Sequence, residues 1–231
     1  MIETYVVIPV NRGERGAMTI HLIEQLDAEP GKIFLDDGDD LVTRKWNRGL
    51  SWAAMASQGE PHNVAILNND VEVCGGFLEK LAAGLRCDPG VWLAYPGGYD
   101  GPSGVYVRHN PECAGQTMTG WAFMLRGEIG LRFDEQFEWW YSDSDMEKQV
   151  RAAGKLVVSV GDCDAIHLDP LRSSLESGRM ATAKSDEARF AAKWKLDPAT
   201  LWLAMNTNFG TMEESQKNPL DKTVEIARFI V

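Results

Sequence analysis

The residues best suited to chemistry are acids that follow short apolar runs. Val64-Ala65-Ile66-Leu67 leads into Asn68-Asn69-Asp70, and Phe34-Leu35 leads into Asp36-Asp37. A carboxylate at the end of a buried strand can take a hard divalent cation through oxygen, leaving positions open for substrate phosphates. Such a cation neutralises charge on a diphosphate leaving group. Asn and Asp also make ordinary turns after strands, and the tripeptide alone fits that use as well. A second acidic group, Ser142-Asp143-Ser144-Asp145, opens a helical pattern. Ser142 reads there as an N-cap, and Asp143 and Asp145 suit the positive end of the helix dipole. A partly buried carboxylate in the same place can also act as a general base toward a hydroxyl. Trp139-Trp140-Tyr141 stands directly before it. Three consecutive aromatics cannot all point inward, so at least one is expected to line a cleft. His167 follows a late apolar run. A lone histidine is more often structural, but imidazole suits Mn2+ or another transition ion better than Mg2+.

These residues need a scaffold that brings strand ends together. Tyr5-Val6-Val7-Ile8-Pro9 reads as a fully buried strand, and Ala17 to Leu26 carries apolar residues at helical spacing. Lys32 to Leu35, Val64 to Leu67, Val91 to Tyr95, Gly120 to Leu125 and Leu156 to Val160 read as further strands. Helices are expected over Trp46 to Ala56, Gly76 to Leu85, Ser142 to Gly154 and from about Ser185. Asp197-Pro198 is expected to open another. Strands alternating with helices predict an α/β fold with a mostly parallel sheet. Residues 96–118 are rich in Gly and Pro, which predicts long loops or a hairpin. In such sheets ligands bind beyond the carboxyl ends of the strands, where both acidic runs fall.

The chain has 231 residues, 44% hydrophobic and 25% charged, the balance of an ordinary globule. A net charge of −11 argues against nucleic acid as a partner, because phosphate backbones need a basic surface. No apolar run reaches the roughly 18 residues of a membrane span, and no secretory leader is visible, so a cytoplasmic location is expected. Cys74, Cys87, Cys113 and Cys163 form no C-x-x-C pattern, so reduced thiols are expected rather than a zinc site.

The segment from Val64 to Leu81, with its Asn68-Asn69-Asp70 and Gly76-Phe77-Leu78, resembles the metal-binding strand and following helix of family 2 glycosyltransferases of the GT-A fold. The resemblance continues in order over residues 4–170. Val6-Val7-Ile8-Pro9 resembles the first strand, whose end borders the nucleotide. Phe34-Leu35-Asp36-Asp37-Gly38 resembles the second strand-end motif, whose first Asp contacts the base. Trp46-Asn47-Arg48-Gly49-Leu50 resembles a segment in which an Asn-x-Gly turn starts a helix. Thr119-Gly120-Trp121, the Phe133-Asp134-Glu135-Gln136-Phe137 loop and Ser142-Asp143-Ser144-Asp145 resemble the acceptor region.

The resemblance implies an inverting hexosyltransferase that moves a sugar from a nucleoside-diphosphate donor, UDP-linked, to a saccharide or protein acceptor. It implies Asp70 and His167 as ligands of Mn2+ or Mg2+, and Asp143 as general base with Asp145 as second choice. Pro9, Asp36, Asn68, Asn69 and Gly120 would border the donor, and Trp139 and Trp140 would stack on the acceptor. The catalytic domain would cover residues 1–170, with the donor half to about 95, and residues 171–231 would form a helical extension packed on it. Arg172, Arg179 and Lys184 would lie in a basic loop or connector. Oligomeric state is left open. A sugar-phosphate nucleotidyltransferase and a non-catalytic glycan-binding protein are the competing classes. The first calls for a Gly-rich basic loop after strand one, which Asn11 to Gly16 match only loosely; the second has no use for Asp70, Asp143 and His167 together.

Overall fold

The computed structural model describes residues 2–10, 16–97, 104–108, 118, 120–168 and 179–197. Strands β1 (Glu3–Pro9), β2 (Ile33–Asp36), β3 (His62–Leu67), β5 (Val91–Pro96), β6 (Gly104–Arg108), β7 (Ala122–Arg126) and β8 (Leu156–Gly161) form one sheet. Its order is β2-β1-β3-β7-β5-β8-β6. β2, β1, β3, β5 and β8 run one way, while β7 and the edge strand β6 run against them. A separate two-stranded ribbon pairs β4 (Val71–Val73) with β9 (Ala165–His167), antiparallel.

Helices cover both faces. Alternate strand residues point to opposite sides, so β1 sends Val6 and Ile8 to one core and Tyr5 and Val7 to the other. The first core packs under α1 (Gly16–Gln25) and α3 (Phe77–Arg86), through Leu22, Leu81 and Leu85. The second lies under α2 (Val42–Ala56) and α4 (Ser142–Ala152), through Trp46, Leu50, Met146 and Val150. Burial on both faces is why these strands read as continuous apolar runs. A third cluster of Phe137, Tyr141, Phe190 and Ala191 docks α5 (Arg179–Trp194). Among the described residues no helix is long and apolar enough to cross a membrane.

Four expectations need correction. Trp46 to Leu50 does not start a helix: α2 begins at Val42, and Asn47-Arg48-Gly49 lies within it. Gly49 is there for close approach, since a methyl group would overlap the Val7 side chain of β1. Ser142 is not the N-cap of α4. Tyr141 holds that place, at φ 63° and ψ 0°. Helix α5 starts at Arg179, well before Ser185, so Arg179 and Lys184 belong to a helix rather than to a loop. Residues 96–118 contain β6, an edge strand paired with β8. Arg172, His109, Cys113 and the helix expected from Pro198 lie outside the described residues.

Candidate active site

The β4–β9 ribbon assembles the first half of the site. Asp70 stands just before β4 and His167 ends β9, and the register sets Val71 opposite His167. The Leu168 N–H donates to the Asp70 carbonyl at 2.9 Å, closing the ribbon at that end. Asp70 is almost wholly buried, and its Oδ1 lies 3.1 Å from His167 Nε2. Two neighbouring donors on an octahedral ion with bonds of about 2.1 Å sit about 3.0 Å apart, so the pair fits a shared divalent cation. The donor chemistry also fits, one hard carboxylate and one imidazole. Among the described residues no group of three or more His, Cys, Asp or Glu could hold a metal.

Asn68 and Asn69 shape the turn that delivers Asp70. The Asn68 N–H donates to the Trp121 carbonyl at 2.8 Å, and the buried Asn69 amide donates to Thr19 Oγ1 of α1 at 3.2 Å. Trp121 then lies flat on the His167 ring, with centroids 5.6 Å apart and planes at 16°. Sequence reasoning missed this tryptophan as a support for His167. Its only signal was its place beside Gly120.

Gly120 connects this half to the second. A methyl group on Gly120 would overlap Asp143 Oδ2, so the carboxylate rests against bare backbone. Asp143 keeps part of its surface accessible, yet enough protein surrounds it that desolvation pushes its pKa up to about 6. The Ser144 N–H donates to Oδ1 at 2.8 Å and opposes the rise, while the nearby Glu147 charge adds to it. A carboxylate poised there can accept a proton near neutral pH. Asp145 has other employment. It is fully buried and accepts from Gln149 Nε2 at 2.8 Å, Lys193 Nζ at 2.9 Å and Trp194 Nε1 at 2.8 Å. The bonds to Lys193 and Trp194 tie α4 to α5.

At the other strand end, Pro9 pairs with Asp36 in the parallel register of β1 and β2. The Asp36 carboxylate accepts from Arg48 Nε at 2.7 Å and from the Gly38 N–H at 3.1 Å. Burial would raise its pKa, but these bonds outweigh that and hold it below the usual carboxylate range. Arg48 also bonds Asp40 at 2.8 Å, and with the Leu41 N–H holds that carboxyl at about 2. Any base placed here would meet an acid already shared with Arg48. Asn47 secures the other side of α2, exchanging bonds of 2.9 Å with the Phe133 backbone.

Of the aromatic triplet, Tyr141 is buried and stacks on Phe190 with centroids 4.9 Å apart, while Trp139 and Trp140 are partly exposed. Trp140 packs at the border of the α5 cluster. Two cysteines that look remote in sequence converge beyond the ribbon. The Asp164 N–H lies 3.3 Å from Cys74 Sγ, and burial pushes the adjacent Cys163 thiol well up. Both are free thiols, as is Cys87.

No protein-family profile matches the chain, and no curated protein matches it in sequence. In three dimensions it matches a structure of GalNAc-T7 with UDP, GalNAc and Mn2+, at a TM-score of 0.53 and 12% identity. The chain has the GT-A fold. The match takes in 72% of this chain and 44% of that one, so the chain spans less than half the length of its structural relative. At this identity the likeness speaks for the fold, and the chemistry must be argued from the residues.

Proposed function

We propose that this chain is an inverting glycosyltransferase of the family 2 type. It moves a sugar from a nucleoside-diphosphate donor, UDP-linked, to a hydroxyl of a saccharide or protein acceptor. One observation carries the reading: Gly120 touches Asp143 while Trp121 covers His167, so a base and a metal-binding pair lie against consecutive residues. Inverting transfer needs that arrangement, with proton removal on one face of the sugar and charge neutralisation at the leaving group on the other.

Asp70 and His167 would hold a divalent cation, Mn2+ suiting the imidazole, and the cation would neutralise the departing diphosphate. Asp143 accepts the acceptor hydroxyl proton as the oxygen attacks the anomeric carbon. Its raised pKa makes the carboxylate a stronger base than an ordinary Asp while leaving it largely ionised at neutral pH. Asp36 takes the donor base, alongside Pro9 at the end of β1. Asn68, Asn69 and Gly120 border the ribose and sugar, and the missing side chain of Gly120 makes room for Asp143 beside them. Trp139 and Trp140 offer ring faces to the apolar side of the acceptor.

A panel of sugar nucleotides incubated with Mn2+ tests the reading through slow hydrolysis. Release of nucleoside diphosphate is expected, lost on Asp70→Ala. Turnover only when pyrophosphate is added, giving nucleoside triphosphate and sugar 1-phosphate, would point to nucleotidyl transfer, and binding without turnover to a glycan-binding role.

A further inference from the structure

Helix α5 grips the polypeptide on both sides of Asp143. Before it, the fully buried Asp186 accepts backbone N–H groups from three consecutive residues. Trp139 and Trp140 each donate to Oδ2 at 2.9 Å, and Glu138 donates at 3.1 Å. Arg189, one turn on, donates to Oδ1 at 2.8 Å. After it, Lys193 and Trp194 of the last turn of α5 meet the fully buried Asp145. Between the two grips the chain passes through Tyr141, whose left-handed conformation is held by its ring on Phe190 of the same helix. A non-glycine residue stays in that region only where its surroundings over-determine it.

Docking a helix needs only apolar contacts, which Phe190 and Ala191 already make with Phe137 and Tyr141. A buried carboxylate is unfavourable unless fully bonded, so its presence calls for another account. Three successive N–H groups converging on one anion fix the path of the backbone far more tightly than a side-chain contact does. That path leads within three residues to Asp143. We propose that Asp186 is a positioning residue for the catalytic base, holding residues 138–140 so that Asp143 is pressed against Gly120. The inference rests on the reading of Asp143 as the base, and it gives helix α5 a part in the chemistry.

The titratable groups acting on Asp143 include Glu147 on its own helix, and the Tyr141 phenol feels both Asp143 and Glu187 of α5. None of them is altered by a change at Asp186. The test compares wild type with Asp186→Asn, which keeps the shape but puts an amide where the N–H groups need an anion. Amide hydrogen exchange at 138–140 is expected to rise roughly 10- to 100-fold, the factor that one charge-assisted hydrogen bond represents. The Asp143 carboxyl, followed by carbon-13 NMR, is expected to titrate at least one pH unit lower, as water enters beside it. Binding of UDP with Mn2+ should be unchanged. Arg189→Gln, at the exposed rim of the same carboxylate, should move both readouts in the same direction by less, and it serves if the Asn variant fails to fold. Unchanged exchange at 138–140 would overturn the proposal, and so would faster exchange with an unmoved Asp143 titration, since α5 would then be a structural brace alone. The underlying reading fails differently: Asp143→Asn would then retain full nucleoside-diphosphate release.

Discussion

Replacing Asp143 by Asn should make the protein more stable at neutral pH, and the gain should vanish in acid. The folded protein raises this carboxyl to about 6 from an ordinary 3.8, chiefly by desolvation. A raised acid binds its proton more tightly in the folded chain than in the unfolded one. Between about pH 4 and 6 the folded state therefore carries more protons, and wild-type stability falls as pH rises through that window. Above it the gap is complete, worth about 3 kcal/mol at about 1.4 kcal/mol per pH unit. The Asn amide is neutral throughout, and its oxygen can still accept the Ser144 N–H that now reaches Asp143 Oδ1 at 2.8 Å. Partial exposure and relaxation reduce the gain, so about 1–3 kcal/mol is expected at pH 7.5 and nearly none at pH 4. Urea unfolding of both proteins at the two pH values measures it. A gain equal at both, or a loss at pH 7.5, would refute the placement of a desolvated carboxylate against Gly120. The same variant should lose sugar transfer while still binding UDP, so stability and activity move in opposite directions.

Three other outcomes follow from the same geometry. Asp70→Ala should weaken Mn2+-dependent UDP binding at least tenfold by calorimetry, because His167 alone makes a poor site for the cation. Gly120→Ala forces a methyl group onto Asp143 Oδ2. It should lower stability by about 1–3 kcal/mol in urea titration and displace the Asp143 titration seen by NMR. Asp145→Ala leaves Trp194 Nε1 without this acceptor and takes one of two carboxylates from Lys193. Because Lys193 remains partly exposed and can turn to water or to Asp134, the loss should be about 2–3 kcal/mol, visible as an earlier urea midpoint.

Strands buried on both faces were legible because nothing in them has to alternate. β1, β3, β5 and β8 stand where their apolar runs do, within two residues. Edge strand β6 was hidden among glycines and prolines, since an edge needs neither a run nor two apolar faces. The start of α2 was misplaced because Gly49 looks like a turn. In the fold it is a helical residue trimmed to let α2 lie on Val7, a long-range packing need that local propensity cannot express. The meeting of Asp70 and His167 was expected through resemblance, although the two are 97 residues apart. Only the β4–β9 register brings them together, and register is a property of two strands at once. The supports were not legible. Trp121, Arg48 and Asp186 gain their roles from partners remote in sequence, and each is an unremarkable residue in its own segment.

The acidic start of α4 shows why the roles of neighbouring acids need the fold to sort them. Residues two apart on a helix point to nearly opposite sides, so Asp143 and Asp145 cannot serve one site. In sequence both were helix-start acids, and only the resemblance ranked Asp143 ahead of Asp145. The fold gives Asp145 a lysine, an indole and an amide, which satisfy a charge that could not otherwise be buried. It gives Asp143 the Ser144 N–H and hydroxyl and its own N–H, but also a neighbouring acid and dense surroundings, and desolvation outweighs those bonds, so the charge stays under-compensated. Under-compensation is what makes a carboxylate a base near neutral pH rather than a strut. The two are linked through α5, since the helix that satisfies Asp145 also supplies Asp186. The same tail that stabilises one acid thus holds the other in its unfavourable place.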